Sequence, residues 1–269
     1  MNKIIYIFLI AFGAILASCE PETIEGSTAQ AFSGELDATC ELEIINGKAA
    51  NMAILNCKSP VTCQWTDGIS KLTSNSGKIQ LMGAGNQKIT LTAMDQTGEI
   101  VTKEFTVNVQ ELAYPVPEIY GLLFDGSEKV WKWADGSCFG NGGFYDGAAG
   151  PQWWTMGADG VEGQFAGEGN SATMTFTMSG KQIKLSNGKT GTLDFSAGDA
   201  VFGNWYGTLT TSCGVLGGYA LNETYIAKGS QIEKYQIISL TDDKMVLSWS
   251  EDANMSSWST GWFWVFKSE

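Results

Sequence analysis

The sequence contains no histidine and no arginine, and its 16 basic residues are all lysines. Without histidine, the chain cannot form a Ser-His-Asp triad, a histidine-ligated zinc site or a histidine acid–base catalyst. Without arginine, it has no guanidinium group to bind an anionic ligand. Its 29 acidic residues give a net charge of −13, which argues against the basic face that nucleic-acid binding needs. We therefore expect a neutral or cationic partner.

The cysteines also lack a familiar motif. No two of the six form a C-x-x-C pair, and this absence excludes a zinc ribbon or a thioredoxin-type redox site. Cys138 and Cys213 are the two cysteines of the C-terminal half and form a possible disulfide in an oxidising compartment. The alternative is that both are buried free thiols.

Residues 1–18 have the layout of an export signal, with Lys3 followed by an apolar run that is too short to span a membrane. The run ends in "LASC", which resembles the lipobox of bacterial lipoproteins. The resemblance implies cleavage before Cys19 and lipid attachment to its thiol, whereas an ordinary secretory signal is the alternative. Residues 19–33 follow as a flexible acidic tether. Their acidic start resembles the surface-export signals of Bacteroidetes lipoproteins.

Helical periodicity is missing after the leader, because no long segment repeats its apolar positions about every 3.6 residues. Residues 34–111 alternate with the two-residue period of strands instead, as in "KITLTAM" and "EFTVNVQ". Turn pairs such as Asn46-Gly47 and Thr97-Gly98 separate these segments. The pattern predicts a β-sandwich of about seven short strands.

One motif in this region resembles a PKD-type immunoglobulin-like module. The residues "CQWTDG" (Cys63 to Gly68) are followed by "ITLTAMDQTGEIVTKEFTVNV", as in such modules. The resemblance implies that Trp65 is a core residue. Residues 112–117 contain Pro115 and Pro117 and predict a stiff linker to a second domain, 118–269.

The second domain is also predicted to be all-β. Its strand-like segments include "ATMTFTM", "KYQIISL", "KMVLSW" and "GWFWVFK", with hairpin turns at Ser179-Gly180 and Asn187-Gly188. The pattern favours a two-sheet jelly-roll sandwich, and the alternative is an up-and-down barrel like that of the lipocalins.

Nine of the ten tryptophans lie in this second domain, and residues 129–160 mix many of them with glycines. Glycine-rich loops cannot bury large rings among themselves, so some rings should be exposed. The C–H faces of a sugar stack on indole rings, while its hydroxyls need amide or carboxylate partners. The candidate ligand-binding residues are Trp131, Trp133, Trp153, Trp154, Trp205, Tyr206, Asp135, Asn141 and Gln152.

Core packing is the competing interpretation of these rings. The same-face pairs Trp131/Trp133 and Trp262/Trp264 suit a β-sandwich core. The neighbours Trp153 and Trp154 point to opposite faces if the chain is extended. We therefore expect one of the two in the core and the other against ligand.

Two further interpretations concern the acidic residues. The repeated Asp-Gly pairs at 125–126, 135–136, 146–147 and 159–160 are typical of turns, with a structural calcium ion as the alternative cofactor. Paired carboxylates of a glycoside hydrolase could come from Asp135, Glu162, Glu168 and Asp194. Their spacing matches no catalytic motif, and Glu162 and Glu168 are expected to be exposed. No catalytic residue is therefore assigned.

Taken together, the lipobox, tether, PKD-like module and Trp-rich β domain resemble the surface glycan-binding lipoproteins of Bacteroidetes polysaccharide-utilisation systems. The resemblance implies a lipid-anchored outer-membrane protein facing the cell exterior. It also implies binding of neutral polysaccharide without cleavage, beside an outer-membrane importer. The alternatives from other classes are a glycosidase, a non-enzymatic adhesin and a lipocalin-like carrier.

Overall fold

The computed structural model describes residues 31–145, 147–198 and 206–269. Within these ranges the chain forms seventeen strands and two seven-residue helices, so the predicted all-β class is confirmed. The leader, Cys19 and most of the tether lie outside the described residues. Over the ranges described, no helix has both the length and the apolar character needed to cross a membrane.

The N-terminal region forms two facing sheets, which we call the N-terminal sandwich. One sheet has the order β1-β2-β5 and the other β4-β3-β6-β7. Their core is buried between them, and Trp65 is at its centre, with its indole N–H donating to the Ser74 carbonyl at 3.1 Å. The strands are β1 (Ala38–Ile45), β2 (Lys48–Cys57), β3 (Thr62–Thr66), β4 (Lys71–Leu72), β5 (Ser76–Gln80), β6 (Gly85–Met94) and β7 (Ile100–Val109).

The C-terminal region contains the remaining elements, beginning with a short helix whose apolar side joins the core. The helices are α1 (Glu118–Phe124) and α2 (Ala158–Gln164). The strands are β8 (Glu128–Trp133), β9 (Phe139–Gly143), β10 (Trp154–Met156), β11 (Thr173–Thr177), β12 (Gln182–Leu185), β13 (Thr190–Ala197), β14 (Gly207–Thr211), β15 (Lys234–Leu240), β16 (Lys244–Ser250) and β17 (Thr260–Ser268).

These strands close into a ring. From β11 to β17 each strand pairs antiparallel with the next, and β8 pairs with both β11 and β17. Closure depends on the length of β17, because its first half pairs with β9 and its second half with β8. Of the two architectures expected from the sequence, this pairing is that of the up-and-down barrel. The strand β10 adds to the free edge of β9.

The interior of the barrel is filled by large side chains. Strands around the whole ring contribute fully buried residues to one continuous core, among them Trp131, Phe176, Tyr235, Leu247 and Trp264. Closed barrels of eight strands are just wide enough for side chains to fill them.

The outer face of β16 and β17 is covered as well. Phe144 packs against Phe263 with ring centroids 5.7 Å apart, and Gly150 lies beside Val265. This covering segment explains why "GWFWVFK" is apolar at every position but its last. Both faces of the strand are buried, whereas an uncovered barrel strand would alternate.

The N-terminal sandwich touches one end of the barrel. A Cβ at Gly83 would collide with the carbonyl oxygen of Gly126, and the Ser179 hydroxyl donates to the Asp67 carbonyl at 3.3 Å. The loops 144–153 and 251–259 leave the strands at the opposite end, since they follow β9 and β16. The barrel therefore separates these loops from the N-terminal sandwich.

Cys138 and Cys213 both carry free thiols, so the disulfide considered from the sequence is not formed. The N–H of Cys138 bonds to the Met156 carbonyl beside β10, whereas Cys213 follows β14. In the order of the ring, β14 lies four strands away from β8. The two thiols are buried separately.

Candidate functional site

Residues 152–154 run along the edge of the barrel beside β9. The N–H groups of Gln152 and Trp153 donate to the Asn141 carbonyl at 2.8 and 2.9 Å, and the N–H of Trp154 donates to the Asn141 side-chain oxygen at 3.1 Å. The chain continues from Trp154 as β10, antiparallel to β9. Trp153 itself lies in a bend just before β10, and its N–H shares one acceptor with that of Gln152, so the alternation of faces expected of an extended chain does not apply to the two neighbouring indoles.

Neither of the two indoles is in the core. Trp153 is 54% exposed and Trp154 is 42% exposed. The expectation that one of them would be buried is therefore wrong. The physical reason is that β10 is only three residues long and lies at a sheet edge.

Trp153 belongs to a group of rings around Gly143 at the loop end of the barrel. A Cβ at Gly143 would lie 2.9 Å from the Trp153 ring and 2.9 Å from the Trp258 ring, so both indoles lie close against this glycine. Trp258 also stacks on Tyr145, with centroids 4.9 Å apart and planes 18° apart. We call Trp153, Trp258 and Tyr145 the outer aromatic surface.

Trp258 is the most exposed tryptophan of the described residues, at 62%. Its φ of 67° is left-handed, a conformation that is uncommon and costly for a bulky residue. The hydrogen bond from its N–H to the Phe144 carbonyl, 2.6 Å, ties this conformation to the loop that carries Tyr145. Backbone strain of this kind concentrates at functional sites.

Sequence reasoning did not find Trp258. A signal was available, because Trp258 stands alone in the polar stretch Ser256-Ser257-Trp258-Ser259 between two strands. A single large ring in a polar turn has no apolar neighbours in sequence to be buried with.

Trp154, the first residue of β10, lies at the mouth of the barrel. Its ring meets Trp262 edge-on at 5.8 Å and Phe139 edge-on at 6.4 Å. Trp262 is fixed by its indole N–H, which donates to Glu251 at 2.8 Å. One edge of the Trp154 ring is thus held by the core while the rest is accessible.

Two of the predicted polar residues accompany these rings in different roles. Gln152 is exposed and its side-chain N–H donates to the Tyr145 hydroxyl, so it borders the outer aromatic surface. Asn141 uses its carbonyl and its side-chain oxygen to hold residues 152–154. Asn141 is therefore a positioning residue, and Gln152 is the amide that a ligand on this surface would meet.

Two predicted ligand-binding tryptophans are core residues. Trp131 is fully buried, and the Trp133 N–H donates to the Glu168 carbonyl at 2.7 Å within the core. Neither ring can stack on a ligand without opening the barrel. The packing interpretation of this same-face pair is the correct one, and their assignment to ligand binding is not.

Two other predicted site residues within the described ranges are not part of the outer aromatic surface. Asp135 pairs with Lys267 and lines a polar cavity of about 630 Å³ that also includes Asp159. Tyr206 is half-buried near α1, where its hydroxyl donates to Glu118 at 3.5 Å. Trp205 lies outside the described residues.

The carboxylates considered for hydrolysis are held by basic groups or N–H donors. The pKa of Asp135 is lowered by Lys267 and that of Asp194 by Lys181, and two backbone N–H groups lower the pKa of Glu162. A general acid of a glycosidase needs a raised pKa instead.

Glu168 is buried, contrary to the expectation that it would be an exposed loop residue. Its carboxylate accepts hydrogen bonds from the Gly217 N–H at 2.7 Å and from three side chains, those of Asn187, Lys189 and Tyr219. The group links three segments at the loop end of the barrel, its own, the 187–189 turn and the 217–219 loop, so its role is structural.

The three Asp-Gly pairs that the structure describes in full, at 125–126, 135–136 and 159–160, are found in turns or in α2. Asp125, for example, is left-handed at the end of α1, with φ of 47°. Within the described ranges, which omit Asp146, no three acidic or cysteine side chains form a group that could hold a metal ion.

No protein-family model matches this chain, and a comparison with curated proteins gives no match. The fold and the site define an all-β chain with a packed barrel that carries exposed indoles on its end loops.

Proposed function

We propose that this chain is a non-catalytic cell-surface lipoprotein that binds neutral polysaccharide on its outer aromatic surface. The proposal follows the resemblance to surface glycan-binding lipoproteins of polysaccharide-utilisation systems. In this proposal an outer-membrane importer is the partner that receives the glycan.

The exposure of Trp153 and Trp258 is the observation that carries the proposal. Six other tryptophans of the described residues are buried, so this chain has a core that takes indoles readily. Both indoles beside Gly143 are left exposed to water. Burying a large apolar side chain stabilises the fold by about 1.5–3 kcal/mol, and the exposed rings forgo this stabilisation. A ligand with apolar C–H faces would recover much of that contact.

The charge of the chain supports a neutral ligand. A net charge of −13 disfavours acidic polysaccharides, and the absence of arginine leaves no bidentate partner for sulfate or carboxylate groups. The Gln152 amide and the Tyr145 hydroxyl lie beside the rings, and both can form hydrogen bonds with sugar hydroxyls.

The position of the surface supports presentation of a ligand away from the membrane. The outer aromatic surface and the N-terminal sandwich are at opposite ends of the barrel. With a lipid on Cys19, the N-terminal sandwich would act as a spacer. A lipocalin-like carrier is less well supported, because it needs an enclosed cavity where this barrel has a packed core.

The test is calorimetry of the purified chain against a panel of neutral glycans (β-glucan, α-glucan, mannan and xylan), with reducing-sugar release measured in parallel. We expect binding of at least one polymer without cleavage, and a loss of about tenfold or more in affinity for Trp153→Ala and Trp258→Ala. Ile100→Ala, an exposed apolar residue of the N-terminal sandwich, is the matched control. Absence of binding to the whole panel, or equal binding by all variants, would reject the proposal, and sugar release would favour the glycosidase.

A further inference from the structure

A second cavity opens on the other side of the 251–259 turn from Trp258. It has a volume of about 410 Å³ and lies over the ends of β15 and β16. One wall comes from the 225–234 segment and the other from residues 252–255 of the turn. None of its residues was singled out from the sequence.

An exposed ring and a buried ring form the apolar part of this cavity. Tyr225 is 53% exposed and its ring lies 5.7 Å from that of Trp249, with the planes 40° apart. Trp249 is buried and is the cross-strand neighbour of Trp262, which in turn holds the edge of Trp154. Tyr225 is therefore supported by the same aromatic core as the candidate site.

An unpaired acceptor forms the polar part. Among the residues the structure describes, the Gln236 side-chain oxygen is buried without a hydrogen-bond partner, and so is the hydroxyl of Ser248 opposite it in the sheet. Buried polar atoms without a partner are rare and costly. Gln236 lines the cavity, so a hydroxyl of a bound ligand could donate to it.

One turn contributes to both sites. Residues 252–255 line the cavity, and Trp258 at the end of the same turn belongs to the outer aromatic surface. Glu251 fixes the turn, since its carboxylate accepts hydrogen bonds from Asn222 at 2.6 Å and from Trp262 at 2.8 Å. This carboxylate therefore ties the turn both to β17 and to the segment that contains Asn222.

We infer that the 251–259 turn divides one extended glycan site into two subsites, the outer aromatic surface and the Tyr225 cavity. The inference rests on the proposed function and narrows its ligand to a chain of several sugar residues, with at least one residue in each subsite. A polymer repeats the same C–H faces and hydroxyls along its length, so two stacking positions on one chain act as linked sites.

The experiment is calorimetry with neutral oligosaccharides of two to eight residues in the gluco-, manno- and xylo-series, alongside the parent polymers. We expect affinity to rise steeply once the chain spans both subsites. Tyr225→Ala should lower the affinity for the longest oligosaccharides by about fivefold or more and leave that of the shortest unchanged, whereas Tyr225→Phe keeps the ring and most of the affinity. Thermal unfolding of each variant checks that the fold is retained.

The outcomes separate the two proposals. If the wild type binds neither polymers nor oligosaccharides, the proposed function fails and the inference fails with it. If the wild type binds and Trp258→Ala weakens binding, but Tyr225→Ala leaves the dependence on chain length intact, the inference alone is overturned. The inference is likewise overturned if affinity does not rise with chain length.

Discussion

Trp153 and Trp258 come from different loops, yet both rings lie against Gly143, where a Cβ would come within 2.9 Å of each. The glycine is the point at which the 144–153 and 251–259 loops meet above the end of β9. Two exposed indoles are thereby brought to one surface without being buried against each other.

Gly143→Ala should therefore disturb both rings at once. The added methyl group would force Trp153 or Trp258 to move, and we expect a loss of about fivefold or more in glycan affinity, with a cost of about 1–3 kcal/mol in the free energy of unfolding. Calorimetry and urea denaturation measure the two effects. Gly121→Ala in α1, where the methyl group would meet open space, should change neither by much. Unaltered affinity in Gly143→Ala would mean that ring placement at this glycine does not matter for binding.

The left-handed backbone at Trp258 should affect the stability of variants at this position. Trp258→Gly and Trp258→Ala both remove the ring, but only glycine also removes the strain of φ at 67°. We expect the glycine variant to be about 1 kcal/mol more stable than the alanine variant in urea denaturation, while both lose glycan affinity equally. Equal stability of the two variants would show that the turn relaxes and stores no strain.

Much of the fold was predictable because strands leave a local pattern. "KYQIISL" coincides with β15, and the buried residues Ile89, Leu91 and Ala93 of β6 alternate as expected. Ring closure was not predictable, because it depends on the pairing of β17 with β8. That pairing is a long-range contact, and the two-residue period indicates only which segments form strands, not which strands pair.

The candidate site was predictable only in part. The exposure of one indole of the Trp153–Trp154 pair was predicted, but both are exposed, and the alternation expected of an extended chain does not apply because Trp153 lies in a bend before β10. The burial of Trp131 and Trp133 depends on which face of β8 turns inward, and the role of Trp258 depends on the contact between two distant loops. Such facts come from tertiary packing, which neighbouring residues in the sequence do not encode.

Glu168 provides a test of the loop end of the barrel. Its buried carboxylate accepts four hydrogen bonds, one of them charged from Lys189. Glu168→Ala leaves these donors unpaired, and we expect a loss of about 3–5 kcal/mol in the free energy of unfolding. Glu162→Ala, an exposed carboxylate on the same segment, should cost less. Urea denaturation of the two variants measures the difference, and similar costs would contradict a structural role for Glu168.

The buried thiols predict a loss of stability at alkaline pH. Burial raises the pKa of Cys138 from 9.0 to about 11, so the folded protein keeps this proton after the unfolded chain has lost it. Stability is therefore fully present below pH 9 and declines as the pH rises from 9 towards 11. We expect the melting temperature to fall between about pH 9 and about pH 11, and to fall less in Cys138→Ala than in the wild type or in the neighbouring control Ser137→Ala. Buried Cys63 and Tyr235 also have raised pKa values and account for the fall that remains in the variant. An identical pH dependence in Cys138→Ala and the wild type would refute the assignment of Cys138 as a buried, protonated thiol.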